Sequence, residues 1–146
     1  MNKVQQEQLF TELTSAQAET ITAAADLPIK SVSVFASYGK ATALFKSVFN
    51  MFEMKTLYVK DTRADGHPVY AMFQGQTSDG SSILTARPKW FDRKGAAARE
   101  GTFYNHLPDG INTIFAFTQS ISKMRLVIMR DNPGRDLFVA GSWVDV

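Results

Sequence analysis

Thr56-Leu57-Tyr58-Val59-Lys60-Asp61-Thr62-Arg63-Ala64-Asp65-Gly66-His67-Pro68-Val69-Tyr70-Ala71-Met72-Phe73 is the stretch that decides the fold class. Its first five residues alternate sides, which is the period of a half-buried strand. Asp61 to Gly66 then breaks the alternation, and Asp65-Gly66 is a tight-turn pair because glycine accepts positive φ. Pro68 to Phe73 resumes as a strand, so the whole stretch reads as a β-hairpin.

The same rhythm continues downstream. Ser78-Asp79-Gly80-Ser81-Ser82 is a second turn, followed by a strand over Ile83 to Ala86 and an edge or exit at Pro88. Asp92 to Gly101 reads as a charged, alanine-rich loop or a single helical turn. Further strands are expected at Thr102–Leu107, Ile114–Phe117, Met124–Met129 and Leu137–Val146, separated by Pro108-Asp109-Gly110 and Asn132-Pro133-Gly134. Short alternating runs punctuated this often argue for a sandwich or barrel rather than a parallel α/β sheet.

Upstream the period changes. Ile29 to Phe35 reads as one more half-buried strand, ended by Gly39. From Lys40 on, Ala41, Leu44, Phe45, Val48, Phe49 and Phe52 recur at three- and four-residue steps, which predicts an amphipathic helix over 40–54. Two roles suit that helix: covering one face or open end of the sheet, or entering a membrane surface or a partner. The expected fold is therefore mainly β. It is an antiparallel β-sandwich of about seven or eight strands, carrying one packed amphipathic helix within a single domain over 29–146.

Residues 1–25 form a separate, leader-like segment. Thr14-Ser15-Ala16-Gln17 has the form of a capping box, and the alanines with Glu19 and Ile21 favour a short helix ended by Asp26-Leu27-Pro28. The residues Leu13-Thr14-Ser15-Ala16-Gln17-Ala18-Glu19-Thr20-Ile21-Thr22-Ala23-Ala24 resemble the leaders of bacteriocins and related peptides that end in a double glycine. Leu13, Thr14, Gln17 and Ile21 match that pattern, while Ala23 and Ala24 stand where the family has glycines. The resemblance implies recognition and cleavage by a peptidase-containing ABC exporter, hence a secreted product. An N-terminal helix packed on the domain, in a cytoplasmic protein, is the alternative. The span Leu57 to Ala71, with the closing Trp143-Val144-Asp145-Val146, is similar to small, mostly uncharacterised bacterial exported β-domains, which again implies export.

Composition narrows the chemistry. The 146 residues include no cysteine, which removes disulfides, thiolate metal sites and a cysteine nucleophile. The longest apolar runs, such as Leu126 to Met129 and Leu137 to Ala140, fall far short of the roughly 20 residues that span a bilayer as a helix. Met1 to Gln8 is polar and lacks the pattern of a Sec-type signal. The net charge of +2 is too small to imply nucleic acid, but its distribution is uneven. Acid gathers in Glu7, Glu12, Glu19 and Asp26, and base in Arg87, Lys89, Arg93, Lys94 and Arg99.

No catalytic residues are assigned. The two histidines, His67 and His106, each sit beside a turn aspartate, as solvated surface groups do, and no serine stands in a nucleophile elbow. Asp61, Asp65, Asp79, Asp92, Asp131 and Asp136 flank strands and could gather around calcium, yet aspartate is also the ordinary turn residue. No metal or cofactor is expected. The strongest patch is Arg87-Pro88-Lys89-Trp90-Phe91-Asp92-Arg93-Lys94. Cations interleaved with aromatics suit an anionic polymer, nucleic acid or acidic glycan, through Arg87, Lys89, Trp90, Arg93 and Lys94. In this reading Trp90 is less wholly core than Trp143; the alternative has Trp90 and Phe91 facing inward, with the cations a solvated rim that aids solubility. Three functions follow as expectations: an exported, non-enzymatic binding protein; a module for anionic polymers; or a membrane-active protein that uses helix 40–54.

Overall fold

The computed structural model describes residues 27–48, 50–105 and 113–146. The leader-like segment and the Pro108-Asp109-Gly110 turn lie outside the described residues. Among those described there are eleven strands and no helix: β1 (Lys30–Ala36), β2 (Gly39–Val48), β3 (Met51–Asp61), β4 (Val69–Thr77), β5 (Ile83–Thr85), β6 (Trp90–Phe91), β7 (Thr102–Asn105), β8 (Thr113–Ala116), β9 (Ile121–Arg130), β10 (Leu137–Ala140) and β11 (Val144–Asp145). The protein is mainly β, and every pairing is antiparallel.

Two sheets result. The first runs β1-β2-β3, and β7 and β8 lie end to end along the free side of β3. The second is built on the central pair β9-β4. Here β10 and β11 lie end to end beside β9, and β5 and β6 do the same beside β4. Each sheet is thus four rows wide, and three of the outer rows are broken in two.

Residues 40–54 are not the expected helix. They form most of β2 and the start of β3, which pair antiparallel with Val48 opposite Met51. Ala41, Ala43 and Phe45 point into the core and Leu44 is exposed, which is period two. A step of four residues suits a strand as well as a helix, and the misreading arose there. The register also shifts between Leu44 and Phe45, so Lys55 has no partner on β2. This bulge moves the inward set of β3 from Leu57 and Val59 to Phe52 and Met54, and so breaks the alternation in the sequence. Phe45 and Phe52 are fully buried and unavailable to a lipid surface, so the membrane-active reading of 40–54 falls with the helix.

The expected hairpin across Asp65-Gly66 is also corrected. β3 pairs within the first sheet and β4 within the second, so 62–68 carries the chain from one sheet to the other. The turn signal was sound, since Gly66 has φ 78°. What the alternation does not encode is whether the next strand pairs or crosses.

One core fills the space between the sheets. Its centre is aromatic: Phe52 stacks on Phe115 and Phe117 at 5.0 and 5.5 Å and meets Phe73 of the opposite sheet at 5.1 Å. Ala41, Leu57, Val59, Met124, Leu126 and Ile128 extend that core along both sheets. Tyr38, in the β1–β2 turn, is buried and donates its hydroxyl to the Ile128 carbonyl at 2.9 Å, which ties the two sheets together at that end. Beside β1, Gly141 lies so near the Ser33 carbonyl that a Cβ there would approach its oxygen to 2.2 Å. Gly141 lies in the gap between β10 and β11, and Trp143 in the same gap stands outside the core cluster.

Candidate functional site

Two inter-sheet crossings share one end of the molecule. The 62–68 segment leaves β3, and the 92–101 segment carries the chain back from β6 to β7. Asp92 fastens them together. Its carboxylate accepts the Asp61 amide at 2.8 Å, the Lys94 amide at 3.0 Å and the Thr102 hydroxyl at 3.0 Å. Lys60, buried beside them, donates its ammonium to the carbonyls of Asp61 and Gly95 at 2.7 and 3.1 Å. A buried ammonium with carbonyl partners avoids the cost of an unsatisfied charge, and it fixes the 92–97 loop to β3.

Between the crossings lies an open cleft of about 510 Å³ whose lining includes Asp61, Arg63, His67, Arg93, Lys94 and Gly95. Asp61 is buried at its base and accepts the Arg63 amide at 3.1 Å. Burial raises the Asp61 carboxyl above the usual aspartate range, helped by the neighbouring Asp65 and Asp92 charges. Asp65 behaves oppositely. The His67 amide and the Arg130 guanidinium, 3.0 Å away, hold it below that range. His67 contributes its backbone amide to Asp65, and its ring Nδ1 lies 3.2 Å from the Asp131 carbonyl. That ring is not aimed at a hydroxyl, so no nucleophile–base pair forms here.

The cleft's acids are therefore bonded to backbone, whereas its cations are not neutralised. Among the described residues, Arg63, Arg93 and Lys94 have no ion-paired carboxylate. Arg93 stands over the Tyr104 ring at 5.4 Å. Unpaired cations on preset loops attract an anion over several ångströms and pay little to reorganise.

The sequence-derived patch divides in this structure. Arg93 and Lys94 reach the cleft; Arg87 and Lys89 are exposed along the β5–β6 row of the second sheet, with Lys89 4.9 Å over the Tyr70 ring. Trp90 points inward, its ring 4.9 Å from Tyr104 and 5.9 Å from Phe115. Trp143, read as the more buried tryptophan, stands outside the core cluster with the Arg125 guanidinium 4.2 Å over its ring. The inward direction of Trp90 follows from β6, where it pairs with inward-facing Ala71, so the alternative with Trp90 turned to the core is the one the structure has. Leu13, Gln17, Ile21, Ala23, Ala24 and His106 lie outside the described residues. The strand-flanking aspartates are spread over both ends, and no three metal-ligating side chains converge among the described residues.

Arg63 joins the cleft although the sequence reading passed over it. Its alternation neighbours mark a turn, and only the crossing brings it to Arg93 and Lys94, some thirty positions on.

The chain matches no family model, no curated protein and no solved structure.

Proposed function

We propose that this protein is a non-enzymatic β-sandwich that binds an anionic polymer at the end of the molecule built by the two crossings. One observation carries the reading: Arg63, Arg93 and Lys94, unpaired among the described residues, line one cleft with His67. Arg87 and Lys89 extend positive charge from that cleft along one edge, so a chain-like ligand meets cations over a longer path than a small ion needs. Trp90 supports the strand beneath instead of stacking on ligand.

Binding of this kind falls linearly on a log–log plot against salt, because each phosphate or carboxylate contact releases condensed counterions. On heparin and DNA columns, wild-type protein is expected to be retained at low salt and eluted by rising salt. Arg93→Ala with Lys94→Ala is expected to elute earlier and to show a shallower salt slope. Free passage of the wild type at low salt rejects the reading.

Delivery is a separate part of the proposal. The Leu13 to Ala24 pattern supports export through a peptidase-containing ABC exporter, with cutting after Ala24. Mass spectrometry of culture medium is expected to find a product beginning at Ala25. Intact chain found only in the cytosol counts against it.

A further inference from the structure

The second sheet's outward face carries a polar row. Phe73 and Gly75 point into the core, so Gln74 between them points out, as does Arg125, its partner on β9. Thr85 is opposite Gln74 on β5. The Gln74 amide donates to the Thr85 hydroxyl at 3.1 Å and accepts from Arg125 Nε at 2.9 Å. Beyond Arg125 the row reaches the gap between β10 and β11, where Trp143 stands with its ring 4.2 Å beneath the guanidinium.

Arg125 is thus held by an amide on one side and an indole below. Its two terminal amino groups have no partner among the described residues, and no carboxylate there pairs with it. Partial burial lowers the Arg125 guanidinium from its usual range by desolvation, and its open terminal amino groups remain available to an incoming anion. Of the acids near this face, Asp136 is engaged by the Tyr70 hydroxyl and the Asn132 amide, and Asp145 faces Lys123. The open terminal amino groups of Arg125 are the place on this face that suits an anion.

We propose that the row Thr85–Gln74–Arg125–Trp143 is a binding site for a carboxylated polysaccharide, with a uronate carboxylate in the Arg125 fork. This rests on the anionic-polymer reading above for the kind of ligand alone, places it on a surface apart from the cleft, and assigns the polymer's class. A planar carboxylate matches the two free donors of a fixed guanidinium. Amide and hydroxyl groups in line with it suit sugar hydroxyls. Nucleic acid would use open ring faces for stacking. The rings near this row are occupied: Trp143 lies under Arg125, and Tyr70 is buried under Lys89. Phe138 is exposed, but it pairs with Met129, four residues along β9 from Arg125.

Affinity electrophoresis of the full chain tests the site, with polygalacturonate, its methyl ester and single-stranded DNA as probes. Wild type is expected to bind polygalacturonate at least about tenfold more tightly than the ester or DNA, since a charged hydrogen-bonded pair is worth about that factor or more. Arg125→Ala and Arg125→Lys are each expected to lose at least about tenfold. Gln74→Glu places a carboxylate beside the guanidinium and is expected to abolish binding with the circular dichroism spectrum unchanged. Undiminished polygalacturonate binding by Arg125→Ala or Gln74→Glu overturns the site. If binding is lost instead in Arg93→Ala with Lys94→Ala, the cleft reading stands and this one falls. DNA bound as tightly, and lost with Arg125→Ala, replaces the glycan by nucleic acid. A wild type that binds none of the probes removes both readings.

Discussion

Asp92 takes three donors at once, two of them backbone amides, one from the end of β3 and one from the 92–101 crossing, while itself buried. Asp92→Ala leaves those donors unsatisfied and is expected to cost about 1–3 kcal/mol in urea unfolding. It should also weaken retention on heparin, because the 92–97 loop loses its attachment. A second buried carboxylate, Glu53, lies on the outward side of β3, 1% exposed. Among the described residues Lys55 pairs with its charge, and neither oxygen has a hydrogen bond of ordinary geometry there. Breaking such a pair strands a buried charge, so Lys55→Met is expected to destabilise by about 3 kcal/mol at neutral pH. Phe52, central to the aromatic core, is expected to cost about 3–5 kcal/mol on truncation to alanine.

At the scale of elements, the β4–β5 turn ties its conformation to pH. Asp79 accepts the Ser81 amide at 2.9 Å and the Thr77 and Ser81 hydroxyls at 2.7 Å each, which lowers its carboxyl to about 2. The unfolded chain then binds more protons as pH falls from about 4 to about 2, so stability drops through that window and is fully present above it. Asp79→Asn is expected to flatten this acid limb in thermal melts recorded from pH 5 to pH 2. Asp61 carries the opposite sign: its raised carboxyl holds a proton to higher pH in the folded than in the unfolded chain, and that contribution is lost as pH rises through its folded pKa. Elements were also where sequence reading succeeded and failed for definable reasons. Val69–Thr77, Ile83–Thr85 and Ile121–Arg130 fall on expected strands because each is a short run rich in apolar residues bounded by turn residues. The β2–β3 hairpin was misread because its bulge at Lys55 interrupts the parity that identifies a strand. Arg93 and Lys94 were legible because they are adjacent in the chain. The Gln74–Arg125 contact was not, since it depends on pairing between strands some fifty residues apart.

For the whole molecule, the decisive contacts join the two sheets. Both contribute to one core, so chemical unfolding is expected to be a single transition, coincident by tryptophan fluorescence and far-ultraviolet circular dichroism. Gly141 is the tightest point on the β1 side, and its Cβ would strike the Ser33 carbonyl. Gly141→Ala is expected to lower stability by about 1–3 kcal/mol and to move Trp143, which a shift in tryptophan emission would report. Unchanged stability would mean that the sheets separate there without penalty.

The broken outer rows have a consequence for how this chain behaves among its own copies. A long, flat strand at a sheet margin offers an unpaired ladder on which another molecule can build. Here β5 and β6, β7 and β8, and β10 and β11 each interrupt that ladder within a few residues. The first sheet's other margin, β1, is occupied by Gly141 against Ser33 and by Lys30 donating to the Asp145 carbonyl at 2.8 Å. Among the described strands, a second copy that tried to add its own edge therefore meets an interrupted or occupied ladder at each margin.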